Sequence, residues 1–230
     1  MTAVHELAPN ESIAEHPITD VANYRNDIAL LDYLLQDLRV LIRRSTKGEI
    51  VLTPQQVITW DVHGLERRTV ICDPSGLEGA RTVQIVGFFG DRRNPADEDA
   101  VMASELDLIA EFASYPGILS YSSVELVDHY WANLVVHRSP TDREDWRGSE
   151  THKYAVDHVA PAAYHGVRIH NGRIADGICG RGSVILESTK YWDYDVAPTW
   201  HASRLLPGGE TAEISGPALD PAPVHDPSNP

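Results

Sequence analysis

With 230 residues, 42% of them hydrophobic, the chain is long enough to bury a substantial core, most simply as one domain with additions. A formal net charge of −15 argues against nucleic acid and against an anionic membrane surface as partners, since phosphate binding needs clustered Lys and Arg. No apolar run approaches the roughly 20 residues of a membrane span, and Met1–Leu7 lacks the basic and then apolar order of a signal peptide, so a cytoplasmic protein is expected.

Residues 1–22, with Pro9, Pro17 and several acidic side chains, read as a flexible arm. From Asn23 the set Ile28, Leu31, Leu35, Leu38 and Ile42 follows a 3,4,3,4 spacing, which predicts a helix to about Arg44, stopped at Lys47-Gly48. Short β-type runs at Glu49–Leu52, Val57–Val62 and Arg68–Cys72 are separated by turn signals at Thr53-Pro54, His63-Gly64 and Asp73–Gly76. Together they predict a small antiparallel addition, so that 23–80 pack on a main domain.

The main domain is expected over 81–204. Thr82–Phe89 reads as a strand, and Asn94-Pro95 opens a helix to about Ala113, with Asp97, Glu98 and Asp99 suiting its dipole. Met102, Leu106, Ile109 and Ala113 form its predicted inner stripe. Ile118–Leu126 and Tyr130–His137 read as a hairpin turning at 127–129. Thr141–Glu144 has the form of a capping box and opens a helix closed by Pro161. A strand at Gly166–His170 completes the order, and after a turn at Asn171-Gly172 a further strand is expected within Ser183–Tyr194. β-α-β-β-α-β is the order of a ferredoxin-like α+β unit, an antiparallel sheet with helices on one face. Its other face needs cover, and a second copy of the chain is the simplest cover. Residues 205–230, with six prolines, read as a tail that builds no core.

The helix after Thr141 carries the clearest chemical signal. At about 100° per residue, Gly148, His152, Ala155, Val156 and Val159 gather on one side, with Trp146 at the boundary. His152 is therefore expected to point inward, where an imidazole needs a hydrogen-bond partner, a metal or a ligand. A core histidine tied to a backbone carbonyl is the first reading and a functional histidine the second, and Trp146 is read by default as a packing anchor, with a pocket wall as the alternative. Alternation places Trp131, Asn133 and His137 together on one strand face, as a polar wall in an aromatic pocket or part of a subunit boundary. Arg168 and His170 likewise share a face, as an anion clamp or a solvated outer surface.

Cys72 and Cys179 form no CxxC, so neither a disulfide framework nor a cysteine zinc site is indicated, while one disulfide stays open. HxH and HExxH are absent, and His152 and His158 do not share a helix face, which disfavours a non-heme metal site. Phosphate loops, nucleotide fingerprints and nucleophile elbows are absent too. Tyr121, Tyr164 and Tyr191 are further candidates for acid or radical-stabilising groups.

Trp146-Arg-Gly-Ser-Glu-Thr-His152, Ala155, then Tyr164 before a strand containing Arg168, together with Tyr130–His137 before the helix, resembles the antibiotic-biosynthesis-monooxygenase-like branch of the dimeric α+β barrel superfamily, in particular its heme-degrading-monooxygenase-like members. The resemblance covers residues of about 82–194 and does not reach the first 80. Val83, Gln84 and Ile85 stand where some heme-degrading members need an asparagine. The family includes cofactor-free oxygenases of phenolic polyketides and heme-degrading enzymes, and wider relatives bind heme for dehydration or peroxide chemistry.

What the resemblance implies is a homodimeric α+β barrel acting on a small apolar or aromatic molecule between sheet and helices, with oxidative, monooxygenase-like chemistry first and heme as the implied cofactor. His152 then serves as axial ligand or as acid/base group, with Asn133 and Arg168 as the other catalytic candidates. Trp131, Trp146, His137, Tyr164 and His170 shape the substrate pocket, and Arg168 or His170 meets a propionate or a polar substrate edge. A cofactor-free isomerase, cyclase or dehydratase, and a non-catalytic binding or assembly module, stay open beside this reading.

Overall fold

A computed structural model describes residues 4–62, 64–93, 98–126 and 130–211. The Asn94-Pro95 cap, the 127–129 turn and most of the proline-rich tail lie outside these residues. Among the described residues, nine strands form one mixed sheet in the order β1-β9-β8-β7-β4-β6-β5-β3-β2. They are β1 (His5–Leu7), β2 (Gln56–Val62), β3 (Leu65–Ile71), β4 (Val83–Arg92), β5 (Ile118–Glu125), β6 (Tyr130–His137), β7 (Tyr164–Ile174), β8 (Ile185–Asp193) and β9 (Trp200–Glu210). The class is α+β. The expected β-α-β-β-α-β segment supplies the central strands β7-β4-β6-β5, all antiparallel neighbours, but the sheet is larger than that unit. The β2–β3 hairpin extends it by pairing β3 with β5, and β8, β9 and β1 extend the other edge.

Several expectations are corrected. The arm is not loose throughout, because His5–Leu7 pair in parallel with Ala202–Arg204, and Arg204 donates from beneath them to the Glu11 and Thr19 carbonyls. Residues 205–210 belong to β9 rather than to a tail. Glu49–Leu52 form no strand. Asn171-Gly172 is no turn, since β7 runs through it and absorbs the irregularity as a register shift against β8. Cys72 and Cys179 are both free.

The largest correction concerns the uncovered sheet face. Helix α1 (Val21–Thr46) lies across it, burying Tyr24, Ile28, Leu31, Leu34, Leu35, Leu38, Leu41 and Ile42 against Ile85, Phe89, Ala132, Leu134 and Val136. Leu31 rests on Gly87, where an added Cβ would stand 2.8 Å from its methyl carbon, so the missing side chain sets how close the helix comes. At about 1.5–3 kcal/mol per fully buried apolar side chain, this stripe is a major part of the core. The face expected to meet a second copy of the chain is thus covered by the chain's own helix.

Polar side chains fasten α1 at fixed points. Asp32 Oδ1 accepts from the Val184 amide at 2.8 Å, and Arg39 donates to the Ile178 and Gly182 carbonyls at 3.0 and 2.6 Å. Asp37 pairs with Arg67 of β3 at 2.8 Å, and Tyr33 bonds the same guanidinium.

The opposite face carries α3 (Glu98–Glu111), α4 (Pro140–Arg147), α5 (Glu150–Tyr154), a π turn (Ala155–Val159) and α6 (Ala160–Ala163); α2 (Pro74–Gly79) is a single turn after β3. The single helix expected over most of 141–161 is not continuous. Its cap lies two residues earlier than the expected Thr141, with Ser139 accepting from the Asp142 amide, and it breaks at Gly148. There Ser149 accepts from the His152 amide at 2.9 Å and starts a second helix, the local competition through which serine favours caps over helix interiors. Pro161 does not end the segment. It sits in the first turn of α6 after the π turn, where the amide it lacks is lost at little cost. No helix among the described residues is long and apolar enough to cross a membrane.

Candidate functional site

Between the sheet and the α3–α6 layer lies a cavity of about 340 Å³, at the small end of the usual range for ligand pockets. Its floor follows from strand alternation. Trp131, Asn133, Val135 and His137 of β6 all line it, flanked by Val86 and Phe88 of β4, Val167 and Ile169 of β7, and Lys190 and Trp192 of β8. Leu108, Ile109 and Phe112 come from the α3 side, and Trp146 and His152 from α4 and α5. The three β6 residues expected to share a wall do so, and Tyr164 joins them.

Helix α3 is rotated from its expected setting. Val101, Glu105 and Phe112 are buried, whereas Leu106 is 57% exposed. The rotation turns a carboxylate into the cavity. Tyr121 Oη donates to Glu105 Oε1 at 2.6 Å, Arg68 of β3 pairs with Oε2, and Asn133 Nδ2 reaches the Tyr121 hydroxyl at a long 3.5 Å. Burial, then the Glu105 charge and hydrogen bond, hold the Tyr121 phenol well above its ordinary range, Arg68 opposing only in part. Tyr121 is therefore a protonated donor to a carboxylate that is also paired with Arg68. Sequence reasoning misses Glu105 and Arg68, although an acid three residues after Met102 and four before Ile109 stands beside the expected apolar stripe.

His137 is fully buried, and neither ring nitrogen has a hydrogen-bond partner within the protein. Burial, then the nearby Arg143 charge, pushes its pKa down to about 4, so the ring is neutral at ordinary pH and free to hydrogen-bond a ligand. Buried polar atoms left unpaired are uncommon and ask for an explanation; a cavity that admits a polar ligand group supplies one.

His152 is half-buried at the cavity wall, with its ring edge-on to Trp146 at 5.6 Å. Burial, then Arg147, lowers its pKa, with Glu111 opposing. Trp146 also meets Phe112 and Tyr115 at 5.2 and 5.1 Å, so it anchors the helix layer while walling the cavity. Tyr164 meets Phe88 at 5.4 Å, and its phenol is pushed up to about 12 by burial, against the pull of Arg92.

Arg168 and His170 do not join this site. They share a strand face as expected, but it is the face beneath α1. There Arg168 donates to Asp27 through Nε and Nη2 at 2.6 and 2.8 Å, and His170 Nε2 meets the same carboxylate at 2.9 Å. His170 Nδ1 lies 2.8 Å from the Thr189 hydroxyl. Asp27, His170 and Thr189 have the connectivity of a hydrolytic triad, yet Thr189 and His170 are fully buried, so no substrate reaches them. Asp27 and Arg168 border a second, more open hollow of about 510 Å³ on the α1 side, with the guanidinium committed to Asp27. Tyr191 is likewise beneath that face, bonded by Arg204 at 2.5 Å. Neither Arg168 nor His170 is placed to meet a ligand in the cavity.

Among the described residues no group of three or more His, Cys, Asp or Glu is arranged to hold a metal ion. The residues do fit heme in donor chemistry, with the His152 imidazole on the cavity wall for the iron and Arg147 and Lys190, in place of Arg168 and His170, for propionates.

No protein-family model matches the sequence, and no curated protein does. Among solved structures, a protein of Shewanella oneidensis aligns with a TM-score of 0.37 at 10% identity, over 40% of this chain and 91% of its own. An aldoxime dehydratase in complex with butyraldoxime aligns at 0.29 and 12% identity, over 54% of this chain and 33% of its own. A second aldoxime dehydratase structure aligns at 0.29 and 10%, over 62% and 36%. The match spans about a third of the aldoxime dehydratase chains.

Proposed function

We propose that this chain is an enzyme that encloses a small, largely apolar molecule between sheet and helices and moves a proton on it. The observation that carries the reading is the 2.6 Å hydrogen bond from Tyr121 to Glu105 at the wall of an otherwise mainly apolar cavity. A proton leaving the substrate passes to Tyr121 Oη as the phenol passes its own to Glu105. Arg68 holds the carboxylate ready, and Asn133 steadies the phenol oxygen. Positioned acid/base groups of this kind suit isomerisation, cyclisation or dehydration without a cofactor, with Trp131, Trp146 and Tyr164 shaping the apolar walls.

A second reading, favoured by the position of His152, places heme in the cavity and includes the oxidative, monooxygenase-like chemistry that the family resemblance implies. Heme would supply redox and Lewis-acid chemistry at its iron; His152 would hold it, and Arg147 and Lys190 would orient its propionates. A homodimer, if formed, would use a surface other than the face under α1.

Absorption spectra of the purified protein with added hemin, repeated on His152→Ala, decide between the two. A stoichiometric Soret band lost in the variant supports heme. Its absence, together with saturable binding of a neutral apolar dye at the cavity, supports cofactor-free proton transfer, and the absence of both rejects the cavity as a ligand site.

A further inference from the structure

The protein carries 34 acidic and 19 basic side chains, yet the charged residues lining its cavity are sorted the other way. Arg143, Arg147, Lys153 and Lys190 face Glu105 and Asp157, and Glu105 is already neutralised by Arg68. Arg143 and Arg147 stand one turn apart on α4 and share one carboxylate, Glu144, whose side chain is 53% exposed. Lys190 of β8 makes no ion pair among the described residues. Its ammonium is nonetheless half withdrawn from water, and burial followed by the Arg147 charge lowers its pKa, with Glu144 opposing and Arg143 adding to the effect. A counter-charge beside the two that are withdrawn from water, Arg143 and Lys190, would offset their repulsion.

An independent observation points to a ligand beside Arg143. His137 is fully buried, unpartnered at both nitrogens, lines the cavity and lies close enough to Arg143 to feel its charge. A ring N–H facing a ligand oxygen would remove this orphan.

We infer that the cavity takes an amphiphilic organic anion, its apolar body against Phe88, Val135 and Trp146 and its carboxylate at Lys190, Arg143 and His137. The inference rests on the cavity being the ligand site and adds the substrate class. The carboxylate belongs to a small acid or to a heme propionate, and both share this chemistry.

The test uses two fluorescent probes with the same skeleton, 8-anilinonaphthalene-1-sulfonate and the uncharged N-phenyl-1-naphthylamine, on the full chain and on Lys190→Met and Lys190→Met/Arg143→Gln. The expected result is at least tenfold tighter binding of the anionic dye, mutual displacement of the two dyes, and loss of most of that preference in the variants while neutral-dye binding is unchanged. Equal affinities, or an anionic dye that does not displace the neutral one, would overturn the inference and leave the cavity reading intact. Failure of both dyes to bind would overturn the cavity reading and the inference with it. Displacement of the anionic dye by hemin, with a Soret band dependent on His152, would support the anion site and assign it to propionates; displacement by decanoate but not hemin would support it and assign it to a small acid.

Discussion

Asp27 of α1 and Arg168 of β7 are joined by two hydrogen bonds of 2.6 and 2.8 Å, on the sheet face away from the cavity. Both side chains are about 5% exposed. Burial alone would raise the Asp27 pKa, but the His170 hydrogen bond and the Arg168 charge outweigh it and leave the carboxyl below its ordinary value. The pair fastens the helix to the sheet.

Removing one partner leaves the other buried and unpaired, which costs about 3–5 kcal/mol. Asp27→Asn and Arg168→Met are each expected to lower the urea midpoint accordingly, while the double variant Asp27→Leu/Arg168→Met recovers much of the loss. Neutral-dye binding in the cavity should be unchanged in whatever fraction remains folded. A selective loss of cavity binding in Arg168→Met, with stability intact, would return Arg168 to the ligand site and refute the assignment.

His137 predicts a pH dependence of the opposite origin. Its folded pKa of about 4 lies below the unfolded value near 6.5, so between these values the unfolded chain binds the proton and the native chain does not. Stability from this group is therefore full above about pH 6.5, falls as the pH drops towards 4, and levels off below. The loss is on the order of 3 kcal/mol at most. Denaturant midpoints from pH 7.5 to 4 should fall in the native protein and show a shallower slope in His137→Phe; identical slopes would mean that the ring is already solvated or paired.

These two histidine environments show what the sequence carries and what it does not. Period-two alternation correctly groups Trp131 with Asn133 and His137, and Arg168 with His170, because a strand's geometry is local. It does not say which layer each face meets. That choice depends on α1, whose Asp27 lies 141 residues from Arg168 along the chain and whose apolar spacing shows that it is a buried helix but not against what. The α3 stripe fails for a related reason. Leu106 looks like its centre, but Glu105 has two fixed partners, Tyr121 and Arg68, which set the rotation and leave Leu106 outside. The break before His152 is readable in Gly148-Ser149 as a weak helix former followed by a capping residue, yet the apolar spacing that runs across it hides the signal.

Gly172 tests the irregularity that stands in place of an expected turn. Its backbone is crowded by β8, and an added Cβ would stand 2.3 Å from the Ile185 carbonyl oxygen and 3.1 Å from its carbon. Both are main-chain atoms that cannot swing aside, so Gly172→Ala must displace β8 or open the ladder. A loss of about 2 kcal/mol or more is expected, with hydrogen exchange accelerated first at the amides of Leu186 and Ser188. Gly48, where an added Cβ would meet nothing within 4 Å, is the contrast: Gly48→Asn should leave the ladder protection untouched.

Tyr121 and Glu105 separate a proton relay from a structural hydrogen bond. Tyr121→Phe removes the donor to Glu105 Oε1 but leaves Arg68 on the carboxylate, so a stability loss of about 1–2 kcal/mol is expected. Glu105→Gln preserves an acceptor for the phenol but strips Arg68 of its counter-charge at a site where both side chains are largely buried, so it should cost more, about 3 kcal/mol. The difference in stability does not carry over to the chemistry: each variant interrupts the relay, and turnover of any accepted substrate should fall about 10²–10⁴-fold in both. Neutral-dye affinity measured on the same preparations shows that the cavity persists. Turnover that tracks stability, modest in Tyr121→Phe and severe only in Glu105→Gln, would reduce the pair to a strut between α3 and the sheet.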